Sequence, residues 1–219
     1  MKHYYLIVDV ETSATNQVLD FGAVVVDRNG KKFAQLGALV KENINQDFHW
    51  ALGSPFEIKK KYKALLDANL RSIQSVNQIN LWLKKIKEKY DPVLTAYNIG
   101  FDMSKCRATG IYLDLFDQRF CLWGASKATI CKTPEYISFI EENMFFTQGG
   151  QISTKADYVA RFIDQDLPPE PHTALEDARD YESVILYAII SRPETRKAIL
   201  EKGAGKLSAK WMQSLEDLK

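Results

Sequence analysis

Asp9 and Glu11 stand at i and i+2 at the end of the most hydrophobic run in the chain, His3 to Val10 (HYYLIVDV). On a strand that spacing points both carboxylates to one face. There they repel each other and lose hydration unless a cation or a donor neutralises them. Another acid, Asp102, follows Asn98-Ile99-Gly100-Phe101, directly after the short apolar stretch Pro92 to Tyr97. A third grouping, His172-Thr173-Ala174-Leu175-Glu176-Asp177, closes a loop that contains Pro168, Pro169 and Pro171. With Asp177 taken from the third grouping, these provide four carboxylates and one histidine. Carboxylate oxygens suit hard Mg²⁺ or Mn²⁺, whereas zinc usually recruits His or Cys. A pair of such ions in a carboxylate cage equips a protein for in-line displacement at phosphorus. A histidine, with an unperturbed pKa of about 6.5, is suited to taking a proton from water.

Each grouping alone also has an ordinary structural reading. Asp9 and Glu11 could be surface acids where a strand runs out into solvent. Asn98 or Asp102 could cap the helix that follows. His172 could be a loop residue, and Asp177 an acid placed favourably near a helix N-terminus. Asp177 nevertheless adjoins the apolar stripe of its helix, where an acid wants a partner.

The elements that must position these residues follow from periodicity. His3 to Val10 reads as a buried strand, Val18 to Asp27 (VLDFGAVVVD) as a second and Lys31 to Val40 as a third. Asp27-Arg28-Asn29-Gly30 is a turn signal, so the three form an antiparallel meander. Ile73, Val76, Ile79, Leu83 and Ile86 predict a helix over Ser72 to Lys89. Pro92 to Tyr97 predicts a short strand, Phe101 to Thr109 a helix, and Phe120-Cys121-Leu122-Trp123 another short strand. Helices are expected near Pro134–Asn143, Thr154–Ile163 and from Thr173 to about Ile190. Strands first, then alternating helices and strands, argue for one α/β domain with a mixed sheet. The domain is expected over 1–191, followed by a basic helical extension over 192–219.

Val8-Asp9-Val10-Glu11-Thr12, Asn98-x-x-Phe101-Asp102 and His172-x4-Asp177 resemble, in order, the three exonuclease motifs of the DEDD superfamily in its histidine-containing (DEDDh) branch. That branch includes the proofreading exonuclease of bacterial DNA polymerase III and ribonuclease T. The resemblance spans Tyr4 to Ile190 and implies an RNase H-like fold, a mixed five-stranded sheet with helices on both sides. It further implies 3′→5′ hydrolysis at the 3′ end of single-stranded DNA or RNA, releasing nucleoside 5′-monophosphates. By the same resemblance Asp9, Glu11, Asp102 and Asp177 hold two Mg²⁺ (or Mn²⁺) ions. Asp9 bridges them, Glu11 and Asp177 complete one, and Asp102 acts partly through water. His172 is then the general base. The backbone around Val10-Glu11-Thr12 receives the terminal nucleotide, with Asn98 and Phe101 of the second motif as further substrate contacts. The chain departs from the pattern after Thr12, where Ser13-Ala14-Thr15-Asn16 stands in place of the Gly or small residue of many members. The long stretch Cys121 to Gln151, with the helix Thr154–Ile163, looks similar to phage-encoded members, and on that likeness DNA is favoured over RNA. The alternatives are an exoribonuclease, or an inactive exonuclease-like module that binds nucleic acid or protein.

Other chemistries find no support. Gly203-Ala204-Gly205-Lys206 lacks the first Gly, the Ser/Thr and the preceding strand of a phosphate loop, and there is no GxSxG elbow or HExxH zinc motif. Lys59-Lys60-Lys61-Tyr62-Lys63 reads equally as a phosphate-tracking surface, with Tyr62 stacking on a base, or as solvated lysines. Lys84 to Lys89 reads as a solvated helix face or a second phosphate-tracking surface, and Trp50 as core or a substrate-stacking ring. The 219 residues are 46% hydrophobic with a net charge of +1, a globular composition that neither demands nor excludes a nucleic-acid partner. Cys106, Cys121 and Cys131 match no CxxC spacing, and Met1 to Tyr5 runs directly into a strand. A cytoplasmic protein without a signal peptide is expected, with packing cysteines. No stretch approaches the roughly 20 apolar residues of a membrane span.

Overall fold

In the computed structural model, residues 3–49, 53–193 and 196–197 are described. Three long strands come first: β1 (Tyr4–Thr12), β2 (Val18–Asp27) and β3 (Lys32–Val40). They form the expected antiparallel meander, with Asp9 opposite Gly22 and Glu11 opposite Asp20. Helix α1 (Pro55–Asp67) crosses over to the short edge strand β4 (Ser72–Gln74), parallel to β3. Helix α2 (Val76–Tyr90) leads to β5 (Val93–Ala96), which pairs parallel with β1. Helix α3 (Ile99–Thr109) then leads to β6 (Arg119–Cys121), parallel to β5. The strand order is β4-β3-β2-β1-β5-β6. An antiparallel meander extended on its first strand by parallel βαβ units is the RNase H-like arrangement.

The sheet has six strands, not five. Ser72 to Gln74, expected as the start of a helix, forms β4 instead, and Ile73 is 47% exposed there. The helix begins at Val76 because Ser75 and Gln78 make a capping box: Gln78 N–H donates to Ser75 Oγ and Ser75 N–H to Gln78 Oε1. The last strand likewise ends earlier than expected. Leu122 and Trp123 open helix α4 (Leu122–Thr129), with Cys121 Sγ accepting from the Gly124 N–H.

Alternation along β1 divides the core. Leu6, Val8 and Val10 join Phe21, Ala23 and Val25 under α2 and α3, through Ile79, Leu83, Ile86 and Cys106. Tyr5 and Ile7 join Val24 and Val26 on the opposite face. That second face is covered by α4, α5 (Pro134–Glu142), α6 (Ala156–Ile163) and the last helical rod. The rod consists of α7 (Ala174–Glu176), a π-helical segment Asp177–Glu182 and α8 (Ser183–Ile190). Asp9 and Glu11 continue the Tyr5–Ile7 row, so they point at this rod. Most of the expected extension over 192–219 lies outside the described residues, as does Trp50. Among the described residues no helix is long and apolar enough to cross a membrane.

Candidate active site

Along β1 the face toward the rod changes from apolar (Tyr5, Ile7) to acidic (Asp9, Glu11), and the rod changes in step. Ile185 and Ile189 of α8 cover the apolar half, and the π-helical segment carrying Asp177 lies toward the acids. Close approach is secured by Gly22, directly opposite Asp9. A Cβ there would lie 2.1 Å from the carbonyl carbon of Ala174, so only glycine lets the start of the rod rest on β2. Asp102 arrives from the first turn of α3, beyond the C-terminal end of β5 and beside that of β1, the edge at which open α/β sheets bind ligands. Its helix starts from Asn98 in the left-handed conformation, φ 73°, and the Asn98 side chain makes no cap. The capping alternative for Asn98 therefore fails.

A buried network holds the rod to the sheet. Asp20, wholly buried, accepts from Tyr62 Oη at 2.9 Å, Arg71 Nε at 3.0 Å, Arg71 Nη2 at 3.1 Å and the Ala174 N–H at 3.0 Å. Arg71 also donates to both carboxylate oxygens of Glu176, at 3.2 and 2.6 Å. Tyr62, read equally from sequence as a base-stacking residue, is thus core: it is 4% exposed and stacked on Phe48. Lys61 beside it donates to the Pro171 carbonyl, next to His172. Lys87 pairs with Asp91 and Asp117 at the surface.

Glu11, His172 and Asp177 bring one ligand atom each within 4.8 Å of one another. His172 adopts φ 54° and keeps 57% of its side chain exposed, so it stands at the mouth of the site. Asp177 is 3% exposed. Its Oδ2 accepts from the Thr173 N–H at 2.9 Å, the helix-start role one reading assigned it, but its Oδ1 is buried without a partner. Asp102 is 2% exposed, while Asp9 and Glu11 keep part of their surface open to solvent although they lie deep among neighbouring atoms.

The electrostatics are those of buried acids crowded together. Burial, then the charges of Glu182, Glu11, Asp102 and Asp177, drives the Asp9 carboxyl well above the usual carboxylate range. Burial, with Asp20, Glu170 and Asp102, pushes Glu11 up to about 8 against the pull of Lys61. Burial lifts Asp102 to about 8, with the N–H groups of Asp102 and Val10 resisting. Asp177 rises to about 9 through burial, Glu170 and Glu11. His172 is shifted downward by burial and then by Lys61, which keeps its imidazole neutral at neutral pH. An oxygen-rich set with a bare buried Asp177 Oδ1 fits hard divalent ions.

Beside His172 opens a cleft of about 820 Å³, lined among others by Tyr97, Asn98, Trp123, Phe146, Lys155 and Glu170. Of the expected substrate contacts Asn98 lines it. The side chains of Val10 and Thr12 are buried, at 4% and 6% exposure, and the Phe101 ring lies 42% exposed with Lys105 Nζ 5.1 Å from its centroid. Two acids went unremarked from sequence. Glu170, in the proline loop, places Oε2 4.0 Å from His172 Nδ1. Glu182 closes the π-helical segment, buried at 2% exposure. No family model and no curated protein matches this chain. Among solved structures it is similar to "Exonuclease X in complex with 5′ overhanging duplex DNA", at 13% identity over 96% of this chain and 98% of that one, with a TM-score of 0.42.

Proposed function

We propose that the chain is a metal-dependent 3′→5′ exonuclease of the DEDDh type. It removes nucleoside 5′-monophosphates from the 3′ end of single-stranded nucleic acid, with DNA preferred. The convergence of Asp9, Glu11, Asp102, Asp177 and His172 at one sheet edge, with Asp177 Oδ1 buried and unpartnered, carries this reading. The four acids would hold two Mg²⁺ or Mn²⁺ ions, which when bound neutralise the cluster and polarise the scissile phosphate. His172, neutral and at the mouth, takes the proton of the attacking water. Its Nδ1 faces Glu170 Oε2, so the imidazolium that forms has a carboxylate beside it. The cleft falls within the roughly 300–1,000 Å³ of small-molecule sites and suits a terminal nucleotide. Trp123 and Phe146 offer faces for a base, a sequence-tolerant contact, and Lys155 offers charge for a phosphate.

Digestion of matched 5′-labelled DNA and RNA oligonucleotides, single- and double-stranded, with Mg²⁺ and with Mn²⁺, tests the proposal. The expected result is a ladder shortened stepwise from the 3′ end, fastest on single-stranded DNA, stopped by EDTA and absent in Asp9→Asn. Internal cuts, or no product with either metal, would overturn the reading. Faster digestion of RNA would overturn the sugar preference alone.

A further inference from the structure

Glu182 belongs to none of the three motifs, yet it is built into the same site. It is 2% exposed; its Oε1 accepts from the Tyr97 N–H at 3.2 Å, and its Oε2 is buried without a hydrogen-bond partner. Among the described residues only three buried side-chain polar atoms are so left, and two of them, Asp177 Oδ1 and Glu182 Oε2, belong to this cluster. A buried carboxylate oxygen with nothing to bind is costly, and such sites call for a proton or a cation. The position of Glu182 follows from the backbone it holds. Tyr97 directly follows β5, and the β1–β5 register of Ile7 with Thr95, carried on by two residues, sets it beside Asp9. Glu182 thus reaches the end of β5 beside Asp9, just ahead of the first turn of α3 that carries Asp102.

The backbone is shaped for this. In a regular α-helix, residues five apart are rotated by roughly 140° about the axis, which would turn Glu182 away when Asp177 faces the strands. The π-helical segment runs from Asp177 to Glu182. Its wider i→i+5 turn brings the second acid back toward the face of the first. Such π-bulges cost regular helix bonding and occur often at functional sites. We infer that Glu182 supplies a further carboxylate ligand to the divalent-ion site, on its Asp9–Asp102 side. This rests on the proposed metal-dependent reading. Tyr97 would then act as a positioning residue, its backbone N–H fixing Oε1 and leaving Oε2 available as a ligand.

Calorimetric titration of the full chain with Mn²⁺, together with metal-free melting, tests this apart from turnover. Wild type should bind Mn²⁺ and Asp9→Asn should not. Glu182→Gln should bind at least 10-fold more weakly, since even residues that merely orient metal ligands are worth roughly 10- to 100-fold in affinity. Its metal-free melting temperature should hold or rise, because a neutral amide replaces an acid crowded by other acids. Glu182→Asp, which keeps the charge but withdraws it by one methylene, guards against misfolding of the first variant and should also bind more weakly. Wild-type affinity in both variants would overturn the inference while leaving the metal-dependent reading in place. Absence of Mn²⁺ binding in the wild type would overturn both.

Discussion

Metal-free protein should lose stability as pH rises from about 7 to about 8.5, and saturating Mg²⁺ should remove that slope. In the unfolded chain Asp and Glu titrate near 4 and are ionised throughout this range. In the fold, burial and crowding hold Asp102 at about 8 and Asp177 at about 9, so both retain protons. The folded state therefore binds more protons than the unfolded one. The stability these groups contribute is fully present below pH 4 and is lost as pH climbs through their folded values. Each retained proton is worth about 1.4 kcal/mol per pH unit. Asp102 and Asp177 are nearly inaccessible and count in full at the lower end of the window; the partly open Asp9 and Glu11 are left out, and Glu182, raised in the same sense by burial, can only steepen the slope. One to two protons then give about 1.5–3 kcal/mol per pH unit near neutrality, or a fall of roughly 3–10 °C in Tm for a domain of this size. His172 acts in the opposite sense: its pKa is lowered in the fold, so its protonation opposes folding at acid pH. Starting at pH 7 keeps that contribution small. Differential scanning calorimetry in EDTA and in excess MgCl₂ reads both curves. A metal-free Tm that stays level or rises with pH, or the same slope with Mg²⁺ bound, would refute the picture of crowded acids awaiting a cation.

Three substitutions and one control, Gly100→Ala, probe separate parts of the same construction. His172→Ala should lower kcat by roughly 10²–10⁴-fold in single-turnover assays at saturating Mg²⁺, with little change in Tm; a stable variant cleaving at wild-type speed removes His172 from the mechanism. Arg71→Ala strands the buried Asp20 carboxylate and frees Glu176, and should cost about 3–5 kcal/mol in urea unfolding; a loss below about 1 kcal/mol would show that the pairing adds nothing to stability. Gly22→Ala forces a methyl into the backbone of Ala174 and should cost about 3 kcal/mol or more and weaken Mn²⁺ binding. Gly100→Ala, with no atom within 4 Å of the added Cβ, should be neutral or slightly stabilising, and equal effects of the two would dismiss the close approach of rod and strand.

What the sequence could show depended on whether a feature has a period or a type of its own. Asp9 and Glu11 were legible because a strand of period two ends in acids, and alternation alone puts both on the face of Tyr5 and Ile7. The meander was legible for the same reason. β4 was not, because Ile73 matched a helical stripe, while the capping box of Ser75 and Gln78 marked the true helix start. Asp20 offered a readable signal, a lone acid inside an otherwise apolar strand, but its partners Tyr62, Arg71 and Ala174 come from distant segments that only the folded chain brings together. Glu182 was hidden more deeply. Read at 3.6 residues per turn, it falls well off the face of Asp177, and the regular helix expected from Thr173 to about Ile190 has no room for a π-helical turn. No side-chain pattern marks that turn; it becomes visible only when the backbone is seen to widen between Asp177 and Glu182. The same widening that made Glu182 illegible is what carries it into the acid cluster. The residue least predictable from periodicity is therefore the one whose position most needs a ligand to explain it.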